Sequence, residues 1–415
     1  MTTLRYDLVI SSDRVIDPAN DLDGPAQIAI TDGRITAVAA ELPPHEADRT
    51  VDASGMVVCP GLIDMHVHVY EWVTNFGLPP DEAGIHSGAT TIIDQGSAGP
   101  WTVGGFKAYI ADPAETDVRS FVSANVAGAL MGGMEGTVLH NPGMMRIRAI
   151  VEAQSAYPEL VKGIKSHGES GGFSFWETEV LKMAVEAGDL TGLPLYIHTG
   201  ELFPVDESNR PQPQTVVEQV LPLLRPGDTV AHVYSCMPDG IMGPGDEVPE
   251  IVLETYDRGV HFDIGFGINF SYRIARKMME ANLLPNTIGS DVHADFNSYH
   301  DDSKLDYSLC GAMTRLYALG MPLTDVIRRV TLNPAKILRE ENDIGTLGIG
   351  SRADITVLNP VKGAWSLPDA EGEVLTVDER LIPALVYRNG IETVPNRRLL
   401  RDIWHGEPLE TALSA

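Results

Sequence analysis

In the stretch GLIDMHVHVY, Gly61 to Tyr70, an apolar run ends in two histidines one residue apart. Alternate side chains of an extended strand share a face, so His66 and His68 point one way while Val67 and Val69 point the other. Two imidazoles on one face are either part of a divalent-metal site or a polar patch on a solvated sheet, and further ligands elsewhere decide between them. Polar residues of the right kind sit near the ends of other apolar runs: Lys165 in LVKGIKSH, His198 in LPLYIHTGE, His232 in DTVAHVYS and Asp291 in NTIGSDVHAD. Four imidazoles and one carboxylate suit zinc or a similar borderline cation.

Lys165 is the odd member, because an ammonium repels a metal and is costly inside a protein unless it is paired or neutral. A neutral amine can add carbon dioxide, and the resulting carbamate is an anionic ligand able to bridge two cations. The competing reading is an ion pair with an acid such as Asp291 or Glu169. Lys162 is a rival on the same segment, but an odd spacing lets only one of the two face inward.

The elements that must position these residues are eight short apolar runs separated by amphipathic helical stretches. The runs are GLIDMHVH, ATTIIDQGS, SFVSANVAG, LVKGIKSH, LPLYIHTGE, DTVAHVYS, GVHFDIGFG and NTIGSDVHAD; the helices include ETEVLKMAVEAGDL and SYRIARKMMEANLL. Alternating strands and helices indicate a parallel sheet, and eight units close a (β/α)8 TIM barrel, whose active site lies at the C-terminal ends of its strands. No GxGxxG follows the first strand of the set, which disfavours a doubly wound nucleotide-binding sheet. Both chain ends read instead as short strands with tight turns at Asp32-Gly33 and Asn389-Gly390. The expectation is an α/β protein with a β-sandwich domain from residues 1–57 plus 347–415 and a barrel over 58–346.

A formal net charge of −28 over 415 residues argues against nucleic acid, anionic membrane surfaces and polyanionic substrates, leaving a small molecule as the expected partner. Cys59, Cys236 and Cys310 are scattered without CxxC spacing, so neither a disulfide framework nor a thiolate zinc site is expected. The N-terminal MTTLRYDLVI lacks a signal-peptide pattern and no apolar run reaches membrane-spanning length; a cytoplasmic location and no membrane contact are the expectations.

The sequence resembles the amidohydrolase superfamily, in particular its dihydroorotase-like and D-aminoacylase-like deacetylases. CPGLIDMHVH is similar to the family's entry motif, GIKS to its carbamylated-lysine strand, YIHTGE and AHVYS to its single-histidine strands, GSDVHAD to its catalytic-aspartate strand, and GTLGIGSRADITVLNP to the return into the sandwich. The resemblance implies that His66, His68 and Asp291 bind one of two divalent ions, expected to be Zn2+, that His198 and His232 bind the other, and that Lys165 bridges both as a CO2-derived carbamate. It further implies attack by a metal-bridging hydroxide, with Asp291 carrying its proton to the leaving group.

Dihydroorotases of this kind place an arginine two residues after the second histidine, where this chain has Tyr70. An acyclic amide or ester is therefore the expected substrate, of N-acyl or O-acetyl acid type and carrying a carboxylate. Arg273 is the candidate clamp for that carboxylate, His293 a candidate to orient Asp291 or touch substrate, and Tyr70 a further candidate contact. Ser97 and Trp101 are candidates for the pocket wall. His86, His140, His167, His261 and His300 have no strong spacing argument and read as ordinary polar residues. The alternatives are a cyclic amide hydrolase of dihydroorotase or hydantoinase type and a nucleobase deaminase, with a non-enzymatic relative in last place. A homo-oligomer is expected.

Overall fold

Strand-forming residues dominate the first sixty positions, where Val, Ile and Ala alternate with polar side chains and turns fall at Asp and Gly. The computed structural model describes residues 4–130, 139–202, 205–212, 214–242, 245, 247–267, 269–294, 308–397 and 399. The end of the expected C-terminal domain, 400–415, and His300 lie outside the described residues.

The strands are β1 (Leu4–Asp17), β2 (Leu22–Thr31), β3 (Arg34–Ala39), β4 (His45–Asp52) and β5 (Val57–Pro60), then β6 (Leu62–Val67), β7 (Ala89–Gln95), β8 (Asp117–Ser123), β9 (Val161–His167), β10 (Leu195–His198), β11 (Thr229–Ala231) and β12 (His261–Phe262), and finally β13 (Ile355–Pro368), β14 (Val374–Arg388) and β15 (Ile391–Thr393). The first five and last three form one sheet in the order β15-β14-β13-β5-β1-β2-β3, with β4 also paired to β1. Its hairpins turn where the sequence indicated: Asp32 and Gly33 have φ of 50° and 70°, and Asn389 and Gly390 have 51° and 75°. Two successive left-handed residues match the twist of an antiparallel pair.

The seven strands β6 to β12 form a second sheet, wholly parallel and in chain order. The eighth apolar run bonds to both of its edges. Thr287 bridges Asp263 beside β12 and Val292 bridges Val67 of β6, both in parallel. The Asp291 amide donates to the His66 carbonyl at 2.7 Å, and the His68 amide to the Val292 carbonyl at 3.2 Å.

Both faces of this sheet are buried, which explains the near-continuous apolar runs of its strands. On one face Ile63, Met65, Ile93, Phe121 and Tyr196 pack together. Their neighbours Ile92, Val122, Ile164 and Ile197 face the opposite way, into the cluster that includes Val180, Leu181 and Ala184 of the helix Glu179–Thr191. That helix ends at Gly192, whose φ of 70° is left-handed.

β5 runs to Pro60, three residues beyond the expected domain boundary, and pairs with β13 in the end sheet. Gly61 makes the join to β6, where a Cβ would lie 2.2 Å from Thr90 Oγ1.

Gly163, two residues before Lys165 on β9, leaves room for the Phe121 ring: an added Cβ would lie 2.3 Å from it. Gly163→Ala is expected to overpack this interior and cost about 1–3 kcal/mol. Urea denaturation checks this as a lower unfolding midpoint with an unchanged slope.

Candidate metal centre

The site is built from the C-terminal ends of the parallel strands. The pairing of β6 with β7 shifts register between Asp64 and Val67, an irregularity that re-aims the strand end carrying His66; His68 lies one residue beyond it. The His66 amide donates to Asp64 Oδ1 at 3.1 Å, and the Ser290 amide donates to the same oxygen at 2.9 Å, tying β6 to the segment that carries Asp291. His66 Nε2 lies 3.1 Å and His68 Nε2 3.4 Å from Asp291 Oδ1. One ligand atom from each of these three residues lies within 4.8 Å of the others, a geometry that could hold a metal ion.

Lys165 joins them from β9. Its side chain is buried, with Nζ 3.5 Å from His66 Nε2 and 4.6 Å from the centre of the Tyr196 ring. Burial pushes its ammonium down to about 8, so a neutral amine is accessible near physiological pH. Lys162 faces the other way and pairs with Glu340 at 2.8 Å. Of the acids weighed as partners for Lys165, Glu169 is engaged elsewhere, accepting from the Gly171 and Gly172 amides at 2.8 and 2.6 Å and pairing with His140 at 3.1 Å.

His198 ends β10 and His232 follows β11, with ring centroids 4.2 Å apart. His232 has a left-handed φ of 64° and Asp291 one of 54°, conformations that non-glycine residues adopt at a cost and that cluster at functional sites. His232 Nδ1 lies 2.8 Å from the Gly265 carbonyl, which can only accept, so Nδ1 carries the proton and Nε2 the lone pair. The Nε2 atoms of His198 and His232 are both buried without a hydrogen-bond partner. Burial, reinforced by the neighbouring positive groups, holds His66 and His198 well below the ordinary histidine range, and burial takes His232 down to about 4. Burial works to raise the Asp291 carboxyl, but the His68 hydrogen bond and the nearby imidazoles keep it below its usual value.

Unpartnered buried acceptors are costly unless a cation or proton satisfies them. Neutral imidazoles with lone pairs directed into one pocket, beside a carboxylate, form a nitrogen and oxygen donor set that fits a borderline divalent ion.

The remaining sequence candidates are placed differently. His293 joins the group, its ring 5.9 Å from those of His68 and Phe76, and burial takes it down to about 3. Ser97 Oγ lies 3.1 Å from His68 Nδ1 and so orients that ring. Trp101 is 67% exposed. Tyr70 is directed away from the role of substrate contact: its hydroxyl donates to the Thr102 carbonyl at 3.0 Å and its ring packs on Phe106. Arg273 does not stand free as a clamp, because Glu371 accepts from its Nη2 at 3.0 Å and Nε at 3.3 Å.

Two histidines that looked ordinary in the sequence are part of the neighbourhood. His167 ends β9, pairs in register with His198, and has its ring 5.7 Å from that of His198 and 5.0 Å from that of His140. The signal for His167 was available, since it lies two residues after Lys165 and so on the same face of an extended strand. His140 comes from a loop and has no such signal. Tyr196 and Asp263, which support His66 from below, read in the sequence as members of apolar runs.

Among the described residues, no helix is long and apolar enough to cross a membrane. The Amidohydrolase family model matches residues 272–391. A deacetylase of Agrobacterium fabrum is 27% identical over 344 residues, covering 83% of this chain and 80% of its own. A crystal structure of a dihydroorotase superposes with a TM-score of 0.80 at 25% identity, over 96% of this chain and 99% of that one. One of an adenine deaminase gives 0.81 at 25% identity, over 94% and 100%.

Lys165→Ala is expected to lose bound metal, whereas Lys162→Ala, which removes a pair on the opposite face, should keep the wild-type content. Elemental analysis of the two purified variants distinguishes them, and the reverse result would place the wrong lysine in the site.

Proposed function

Since the chain belongs to the amidohydrolase superfamily, we propose that it is a binuclear zinc hydrolase cleaving the amide or ester bond of a small N-acyl or O-acetyl acid. The observation that carries this reading is the convergence of four imidazoles, one carboxylate and one buried lysine at the C-terminal ends of parallel runs of one sheet. The deacetylase relative supports the acyl-group assignment. In this reading the eighth run completes a (β/α)8 barrel, bonded as it is to both β12 and β6.

His66, His68 and Asp291 would hold one ion and His198 and His232 the other, with Lys165 joining both as a carbamate. Bound there, the two cations supply an acidified water and Lewis-acid polarisation of the scissile carbonyl. The chain's own residues do the rest. Ser97 and the Gly265 carbonyl fix the rings of His68 and His232. Asp291 takes the proton of the attacking water on a carboxylate oxygen and returns it to the departing nitrogen or oxygen, acting as base and then acid. His167 ends β9 level with His198, with its ring 5.7 Å away.

Hydrolysis of a cyclic amide is the second reading, favoured by the dihydroorotase likeness. Steady-state assays of the zinc-reconstituted protein against D- and L-N-acyl amino acids, acetylated 2-hydroxy acids, dihydroorotate, hydantoins and aminopurines separate the two and also test deamination. Turnover confined to the cyclic compounds would overturn the deacetylase assignment. Chelation should abolish activity, and two equivalents of zinc should restore it. Asp291→Asn keeps size and one oxygen but cannot accept a proton at neutral pH; its turnover should fall about a hundredfold to ten-thousandfold with metal retained. Wild-type turnover in that variant, with both ions bound, would assign the proton transfer to another group.

A further inference from the structure

Beneath the metal-ligand candidates lies a hydrogen-bonded chain closed to solvent. Tyr196 precedes His198 by two residues on β10 and pairs in register with Lys165 of β9, so its ring faces the same interior one step below the ligands. Its hydroxyl lies 3.1 Å from His66 Nδ1 and 2.9 Å from Asp263 Oδ1. Tyr196 and Asp263 have no exposed surface and His66 has 1%.

The direction of each bond follows from counting protons. Asp263 Oδ1 also accepts from the Gly265 amide at 2.7 Å and the Gly289 amide at 3.2 Å, and Oδ2 accepts from the Thr287 hydroxyl. With these three donors directed at it, two of them at Oδ1, Asp263 is an acceptor on both oxygens. The single phenolic proton of Tyr196 therefore goes to Asp263, and the phenolic oxygen is left to accept. His66 must then carry its proton on Nδ1, and the Nε2 lone pair faces Asp291 and Lys165. The Tyr196 ring also lies under Lys165 Nζ at 4.6 Å, so one side chain supports two of the six candidate ligands.

We propose that Tyr196 and Asp263 are positioning residues that fix the Nδ1–H tautomer and ring orientation of His66, so that Nε2 is presented to metal before any ion binds. This rests on the binuclear reading above for the identity of the ligand but not for the bond directions, which come from the donor count. Partners behind a ligating histidine typically contribute tenfold to a hundredfold in metal affinity.

The test uses Tyr196→Phe, which removes the hydroxyl and keeps the ring. Zinc affinity is measured by competition with a chromophoric chelator, and the tautomer of His66 by nitrogen-15 NMR of histidine-labelled protein, with His66→Asn providing the assignment. The expected result is a tenfold to hundredfold weaker zinc affinity in Tyr196→Phe and, in chelator-treated wild-type protein, a His66 signal of the Nδ1–H form that is lost or mixed in the variant. Asp263→Asn, which keeps an oxygen for Tyr196, should lie closer to wild type in both measurements. Wild-type zinc affinity together with an unchanged His66 signal in Tyr196→Phe would overturn the proposal. Should Tyr196→Phe not fold, the wild-type signal alone decides it: an Nε2–H form in the metal-free chain overturns it. Wild-type protein that binds no zinc at all would instead sink the metal-centre reading and leave the tautomer measurement standing.

Discussion

Buried imidazole nitrogens with no partner crowd the centre of this protein, and that electrostatic conflict organises the rest. A carboxylate oxygen of Asp291 lies within 3.4 Å of two imidazole nitrogens, and the Nε2 atoms of His198 and His232 are buried nearby with no donor to meet them. Protonating the imidazoles would relieve the conflict in water, but burial among other basic groups opposes it: His66 and His198 are held well below their ordinary range. A cation from outside would resolve it without charging any histidine. The fold thus keeps a set of lone pairs directed at one space and bears the desolvation cost through packing elsewhere.

Holding such a set apart from water requires rigid supports, and three of the ligand candidates have one that is itself backbone or buried. Gly265 fixes His232, Ser97 fixes His68, and the Tyr196–Asp263 pair stands behind His66. Asp94 in turn accepts from the Ser97 and Val69 amides at 2.9 Å each, anchoring the loop beside His68. The left-handed backbone at His232 and Asp291 is the strain that remains once the strands have been placed. His232 lies just past β11, and Asp291 lies between the two residues of its run, Thr287 and Val292, that bridge the neighbouring strands.

The legibility of this arrangement in the sequence follows the periodicity of strands. His66 and His68, His198 and Asp291 stand out because an apolar run stops at a polar residue, and that interruption is a local signal, whereas the odd spacing of Lys162 and Lys165 says only that one of the two faces inward. The seven runs that became β6 to β12 were visible for the same reason, as were the turns at Asp32-Gly33 and Asn389-Gly390. What was illegible depends on contacts far apart in the chain. Arg273 looked like a clamp from its helix position, but its partner Glu371 lies 98 residues away on the hairpin between β13 and β14. Tyr70 shares the parity of His68, yet β6 ends at Val67, and beyond the strand the parity rule has no force. His140 reaches the site from an irregular loop, where no period exists to reveal it.

The loss of Arg273 as a clamp changes how substrate charge must be handled in the proposed reading. Two divalent ions set against one aspartate and one carbamate leave the pocket formally positive, while the chain as a whole carries −28. A substrate carboxylate would then be repelled by the general surface and attracted only near the strand ends, where low dielectric strengthens the local field. Neutral polar groups would suffice there to orient it, and His167 and His293 lie beside His198 and His68 respectively. Selectivity among acyl acids would in that case depend less on a dedicated cation than on the polar groups around the strand ends, because a buried polar group left unmatched by the wrong substrate costs more than a matched one contributes.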